Sequence, residues 1–103
     1  MRKEEGEGKI EFYKDKHLPH EVKENLIIRI NRANGHLESI KEMILQDRTC
    51  AEIITQLSAV KSAINEVMVK IVEAHIDMVE KRGYNDADVI ELVKLLVKNM
   101  KLK

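Results

Sequence analysis

The chain contains a single cysteine, Cys50, and a histidine, His75, that follows it by 25 residues. A thiolate and an imidazole together suit Cu(I), Zn(II), Ni(II) or Co(II), and two donors do not discriminate among these metals. A thiolate also attacks electrophiles. The alternative is that both residues fill space, because cysteine is commonly buried and histidine is commonly hydrogen-bonded or exposed. From these two residues alone, all three interpretations stay open.

Both residues belong to one long predicted helix, residues 49–82. The segment lacks Gly and Pro, and an apolar residue returns every three or four positions, which is the pattern of an amphipathic helix. Thr49 and Glu52 have capping-box spacing, which places Cys50 in the first turn, and Gly83 marks the end. The positive end of the helix dipole favours the thiolate there.

The distance between the two candidate ligands constrains any shared site. At about 1.5 Å per residue, Cys50 and His75 lie roughly 37 Å apart along one helix. They cannot meet within it. A site that uses both residues therefore needs an antiparallel second copy of the helix, which brings His75 of one subunit beside Cys50 of the other.

Further donors lie near this pair. Met78 is three residues after His75 and on the same helix face, so it is a candidate soft third ligand, although core packing is the commoner role of methionine. His17 and His20 precede the first predicted helix and are candidate nitrogen ligands, although exposed histidines are the simpler interpretation. His36 has no evident partner in the sequence.

Composition bounds the fold and the class of protein. A chain of 103 residues predicts one domain, and with 44% hydrophobic but only 3% aromatic residues its core must come from aliphatic side chains, as in helical proteins. One cysteine excludes an internal disulfide and fits the cytoplasm. No apolar run is long enough to span a membrane. The common catalytic motifs, such as HExxH and CxxC, are missing, so we expect no enzyme.

The remaining segments predict an all-α domain at residues 17–103 behind a flexible arm at residues 1–16. A first helix is predicted at about residues 19–46, with a close helix crossing at Gly35, and a third, shorter helix at about residues 89–100. The short connection at Asp47 and Arg48 makes the two long helices an antiparallel hairpin. Because the second helix carries apolar residues on two sides, we expect a homodimer with a four-helix core.

A nucleic-acid partner is only weakly indicated by composition, because the formal net charge is zero. Arg29 and Arg32 are three residues apart on the first helix, and with Lys23 and Lys61 they form a candidate cationic face that dimer symmetry would double. Scattered surface charge is the usual explanation of such residues.

Four segments together resemble the CsoR/RcnR family of bacterial metal-sensing transcriptional repressors. The resemblance covers residues 17–103 and rests on the 25-residue interval from Cys to His and on these segments: RINRANGH at 29–36, Cys50-Ala51, QLSAVKSAIN at 56–65 and VEAH at 72–75. It implies a helical dimer that pairs into a tetramer, binds operator DNA without inducer and releases it when an intersubunit site fills.

The resemblance assigns functional roles to individual residues, and this chain differs from the family pattern at some of them. The resemblance assigns the sensor site to Cys50 and His75, DNA contacts to Arg29, Arg32 and Lys61, and the place of an N-terminal sensor residue to His17. Copper sensors of the family carry a second Cys where this chain has Val79, and nickel or cobalt sensors carry His there. Thr49 replaces a tyrosine that copper sensors often use. We expect Cu(I) to be the inducer. The alternative inducers are Ni(II), Co(II), Zn(II), or formaldehyde and other thiol-reactive electrophiles. A further alternative function is a structural or metal-storing helical bundle.

Overall fold

Three helices make up the part of the chain that the computed structural model describes, residues 18–82 and 86–100. They are α1 (His20–Leu45), α2 (Cys50–Arg82) and α3 (Asp86–Asn99). The prediction of an all-helical, three-helix subunit is therefore confirmed. The predicted arm at residues 1–16, the candidate ligand His17 and the predicted helix stop at Gly83 lie outside the described residues.

The turn between α1 and α2 is set by backbone hydrogen bonds at the end of α1. The amide of Asp47 donates to the carbonyl of Ile44 at 3.1 Å, and the amide of Arg48 donates to the carbonyl of Met43 at 3.0 Å. These two bonds form a Schellman motif, in which the residue after the C-cap adopts a left-handed conformation. Asp47 does so with φ 58°, which aspartate tolerates better than most residues. The chain reverses here, and the predicted antiparallel hairpin is confirmed.

Apolar side chains hold α1 against α2 in the middle of the hairpin. Ala33, Ile40 and Val60 are buried together, and Met43 and Ile53 pack against them. The predicted close crossing at Gly35 is wrong within the subunit, because a Cβ atom built there would meet nothing within 4 Å. Gly35 is exposed and points away from the α1–α2 contact.

The third helix packs on a different side of α2. An apolar cavity of about 220 Å³ between them is lined mainly by aliphatic side chains: Met68, Ile71, Val72, Leu92, Leu95 and Leu96. The second half of α2 thus contacts both other helices. Its first half contacts only α1 among the described residues.

The subunit leaves many large apolar side chains in contact with solvent. Those on α1 and α2 are Ile27, Ile28, Ile30, Leu37, Ile44, Leu45, Ile54, Leu57 and Ile64. The sequence analysis predicted such exposure for an isolated hairpin. Across residues 18–82 and 86–100, no helix has the length and apolarity required to cross a bilayer.

Candidate functional site

Cys50 is the first residue of α2, and its position is fixed by the predicted capping box. The Oγ1 atom of Thr49 accepts a hydrogen bond from the amide of Glu52 at 3.1 Å, and a carboxylate oxygen of Glu52 accepts one from the amide of Thr49 at 3.1 Å. These reciprocal bonds satisfy two backbone donors at the start of the helix. The thiol of Cys50 is free and exposed.

An arginine completes the network at the start of α2. Arg48 donates from Nε and Nη2 to the two carboxylate oxygens of Glu52, at 3.1 and 3.2 Å. Hydrogen bonding from the side chain of Arg48 is the main cause that lowers the pKa of Glu52. The bond from the backbone amide of Thr49 is the second cause. Glu52 therefore stays ionised to lower pH than an isolated glutamate and keeps the cap closed beside the thiol.

His75 is buried in the second half of α2. Only 5% of its surface is exposed, and its Nε2 atom is shielded from solvent. Val72 and Val79, about one turn before and one turn after it, are also buried, as is Met78. The two predicted ligands therefore differ in their surroundings, since Cys50 is open to solvent and His75 is enclosed.

Helical geometry nevertheless places Cys50 and His75 on the same side of α2. At about 100° per residue, 25 residues turn the helix by roughly 2500°, about 20° short of seven full turns. Three exposed apolar residues, Ile54, Leu57 and Ile64, lie between them within about 40° of the same direction. We call this row from Cys50 to His75 the α2 strip.

The subunit does not assemble a metal site from the strip by itself. Cys50 and His75 are at opposite ends of α2, as the helical rise predicted. Within the described part of the chain, no group of three or more His, Cys, Asp or Glu side chains is arranged to hold a metal ion. A site that uses both residues must draw one of them from a second subunit.

His20 lies at the same end of the hairpin as His75 but faces solvent. The start of α1 lies beside the end of α2, where Pro19, Val22 and Met78 line a shared cavity of about 380 Å³. The side chain of His20 is 82% exposed, and its Nε2 atom lies 3.2 Å from a carboxylate oxygen of Glu24. Of the additional candidate metal ligands, the structure describes two: Met78 is buried and His20 is exposed to solvent.

The predicted cationic residues divide between two sides of the hairpin. Arg29 contacts Glu66 of α2 at 3.5 Å, and Glu66 lies roughly 160° around α2 from Cys50. Lys61 lies only about 20° from Cys50, inside the α2 strip. Arg32, Lys23 and Lys61 are all exposed. One subunit therefore does not unite Arg29 and Lys61 on a single face.

Two polar contacts of α1, one to α2 and one within α1, have no counterpart in the sequence-based prediction. His36, for which no partner was evident, has its Nε2 atom 2.6 Å from Oε1 of Gln56 in a half-buried hydrogen bond. Arg29 also donates from Nε to the side-chain oxygen of Asn25 at 3.0 Å. The only sequence signal is a weak one, that Asn25 and Arg29 are four residues apart on a helix.

Comparison with known proteins agrees with this architecture. Residues 22–98 match the family model described as metal-sensitive transcriptional repressor. The copper-sensing transcriptional repressor RicR of Mycobacterium tuberculosis is 35% identical over 54 residues, which cover 52% of this chain and 56% of that protein. The copper-sensing transcriptional repressor CsoR of Bacillus subtilis is 32% identical over 59 residues, which cover 57% and 58%.

These matches span little more than half the length of either relative. No solved structure matches the chain. The family model, in contrast, covers all of α2, all of α3 except its last residue, and most of α1. It describes transcriptional repressors and not enzymes, as the sequence analysis predicted. The chain belongs to the metal-sensitive transcriptional repressor family.

Proposed function

We propose that this protein is a homotetrameric repressor that binds operator DNA in the metal-free state and releases it when a metal ion, Cu(I) in the first place, binds between subunits. Each site joins Cys50 of one subunit to His75 of its partner. The protein acts in the cytoplasm, where a thiol stays reduced and operator DNA is accessible.

The α2 strip is the observation that carries this proposal. A two-fold axis perpendicular to α2, near the midpoint between residues 62 and 63, places each Cys50 beside the partner's His75 and fills both sites at once. The same packing covers Ile54, Leu57 and Ile64, which the subunit exposes. Ligand geometry and burial of apolar surface thus both support the same antiparallel dimer.

The donor set favours a soft metal. A thiolate and an imidazole, with the buried thioether of Met78 close to His75, suit Cu(I). Structural zinc sites almost always have four protein ligands. Val79 presents no donor atom at the position one turn after His75. Both curated relatives described above are copper-sensing by name.

The burial of His75 would couple metal binding to DNA release. Because its Nε2 atom is shielded within the subunit, a metal reaches it only if the side chains around it move. That movement costs free energy, and the metal–ligand bonds offset it. The resulting change in how the helices pack around His75 then shifts the tetramer away from the shape that fits DNA.

The DNA contacts come from basic residues brought together by the assembly. Arg29 and Arg32 lie on consecutive turns of α1 and are suited to phosphate by the fork geometry of the guanidinium group. Lys23 adds positive charge from another side of α1. Lys61 lies within the α2 strip, so it contributes to DNA binding only through the part of its side chain that the dimer leaves exposed. We expect a tetramer, because a single subunit does not align these groups.

A titration of the reduced protein with Cu(I), Ni(II), Co(II) and Zn(II), while binding to its own promoter DNA is followed by fluorescence anisotropy, tests this function. We expect Cu(I) to release the DNA at one equivalent per subunit. Cys50→Ala and His75→Ala should keep DNA binding and lose the response, whereas His20→Ala, the matched exposed histidine, should respond normally. Release by Cu(I) in the Cys50→Ala variant would refute the site.

The exposed thiol favours a second candidate, a sensor of thiol-reactive electrophiles such as formaldehyde. Cys50 is a free cysteine that is open to solvent at the start of a helix, so an electrophile can reach it. In that case no metal would release the DNA. Treatment with formaldehyde would do so, and mass spectrometry would show a mass increment that is missing in Cys50→Ala.

A further inference from the structure

Two side chains of the subunit hold the guanidinium group of Arg29. The Nε atom donates to Oδ1 of Asn25, one turn earlier on α1, at 3.0 Å, and the Nη1 atom donates to Oε1 of Glu66 on α2 at 3.5 Å. The side chain of Arg29 is 31% exposed and that of Glu66 is 59% exposed. The pair therefore sits at the surface, where an approaching phosphate reaches both residues.

A glutamate carboxylate and a DNA phosphate present the same chemistry to arginine. Both are anions with paired oxygens that accept hydrogen bonds from the guanidinium fork. An N–H of Nη1 that is donated to Glu66 is not available to a phosphate. Glu66 also places a negative charge beside the position that the phosphate would occupy, and this repels it.

We propose that Glu66 competes with DNA phosphate for Arg29 and thereby weakens operator binding, with Asn25 anchoring the guanidinium from its Nε side. This inference rests on the proposed function, because it takes Arg29 as a DNA contact. It assigns Glu66 the role of setting operator affinity without touching the metal site. Because Arg29 comes from α1 and Glu66 from α2, the strength of the competition depends on how the two helices lie against each other.

Glu73 provides a matched control on the same helix. It lies seven residues, or about two turns, after Glu66 and so points in nearly the same direction. It is exposed and lines the cavity that Asn25 and Lys70 also line. Glu73→Gln therefore removes the same charge from the same side of α2 and leaves the contact to Arg29 intact.

The test measures binding of the metal-free protein to a duplex of its own promoter at several salt concentrations. An exposed ion pair contributes up to about 1 kcal/mol, so Glu66→Gln should tighten binding by roughly two- to fivefold beyond the effect of Glu73→Gln. The salt dependence should also steepen, because Arg29 is then free to displace counterions. In an Arg29→Gln background, Glu66→Gln should give no more than the control effect.

The possible results separate the inference from the function on which it rests. If Arg29→Gln weakens binding but Glu66→Gln and Glu73→Gln behave alike, the competition is refuted and the DNA interface stands. If the extra gain from Glu66→Gln persists without Arg29, the effect is not competition for that residue and the inference fails. If the wild-type protein does not bind the duplex at all, both the proposed function and the inference are overturned.

Discussion

A lysine in the middle of the α2 strip should separate the subunits. Ile64 lies within two residues of the midpoint between Cys50 and His75 and is 40% exposed in the subunit. In the proposed dimer it packs next to the two-fold axis, so Ile64→Lys introduces two equivalent charges close to each other. The strip already holds Lys61, which adds to the repulsion.

The expected effect follows from the exposure of this side chain. Full burial of an isoleucine stabilises by about 1.5 to 3 kcal/mol, so the exposed 40% accounts for roughly 1 kcal/mol per subunit. Two lysine charges near 4 Å repel by about 4 kcal/mol at an effective dielectric constant of about 20. The dimer should therefore be weakened by at least about 3 kcal/mol, or roughly a hundredfold in its dissociation constant.

Sedimentation velocity over a range of protein concentrations measures this constant. Ser62→Lys is the matched control, because it adds the same charge two residues away on another side of the exposed surface of α2. We expect the control to assemble as the wild type does and Ile64→Lys to yield subunits that remain helical by circular dichroism. An Ile64→Lys protein that dimerises with unchanged affinity would show that the strip is not the interface.

Three further predictions concern the fold and the site. Ile40→Ala should lower the free energy of unfolding by about 2 to 5 kcal/mol, because Ile40 is buried between α1 and α2, whereas Leu45→Ala, which is largely exposed, should cost much less in denaturant unfolding. The pKa of Glu52 is lowered, so its bond to Arg48 stabilises the fold fully above the ordinary titration range of glutamate. This stabilisation is lost as the pH falls through the lowered pKa. Glu52→Gln should therefore abolish this acid dependence of stability in a circular dichroism titration. Val79→Cys should raise Cu(I) affinity by at least roughly tenfold in a chelator competition, since it adds a thiolate one turn after the buried histidine.

The helices and their ends were largely predictable because their signals are local. The capping box of Thr49 and Glu52 appears as two reciprocal hydrogen bonds, and α2 begins at Cys50 as expected. The first helix, predicted from about residue 19 to 46, runs from His20 to Leu45. The hairpin followed from the short connection, although the left-handed conformation of Asp47 could not be derived from it.

Contacts between helices were not predictable, because the apolar pattern of each helix does not determine its register against the other helix. Gly35 was expected at a close crossing and instead has no neighbour within reach of a Cβ. His36 was left without a partner, yet it bonds to Gln56 across the hairpin. The pairing of Arg29 with Glu66 depends on the same register.

The sequence predicted the distance between Cys50 and His75 but not how strongly each of them is buried. The rise of a helix shows from the sequence that Cys50 and His75 cannot meet in one subunit. That the histidine is enclosed while the cysteine is open results from the packing of the whole subunit, which periodicity alone does not reveal. Whether the two residues join between subunits stays a prediction.

Mixing subunits tests this prediction most directly. Subunits with Cys50→Ala are combined with subunits with His75→Ala, the hetero-assembly is purified by two affinity tags, and Cu(I) binding and DNA release are measured. If each site joins two subunits, every mixed dimer regains one intact site, from Cys50 of one subunit and His75 of the other, and DNA is released although neither parent responds. A mixed assembly that binds no more Cu(I) than its parents would contradict the intersubunit site.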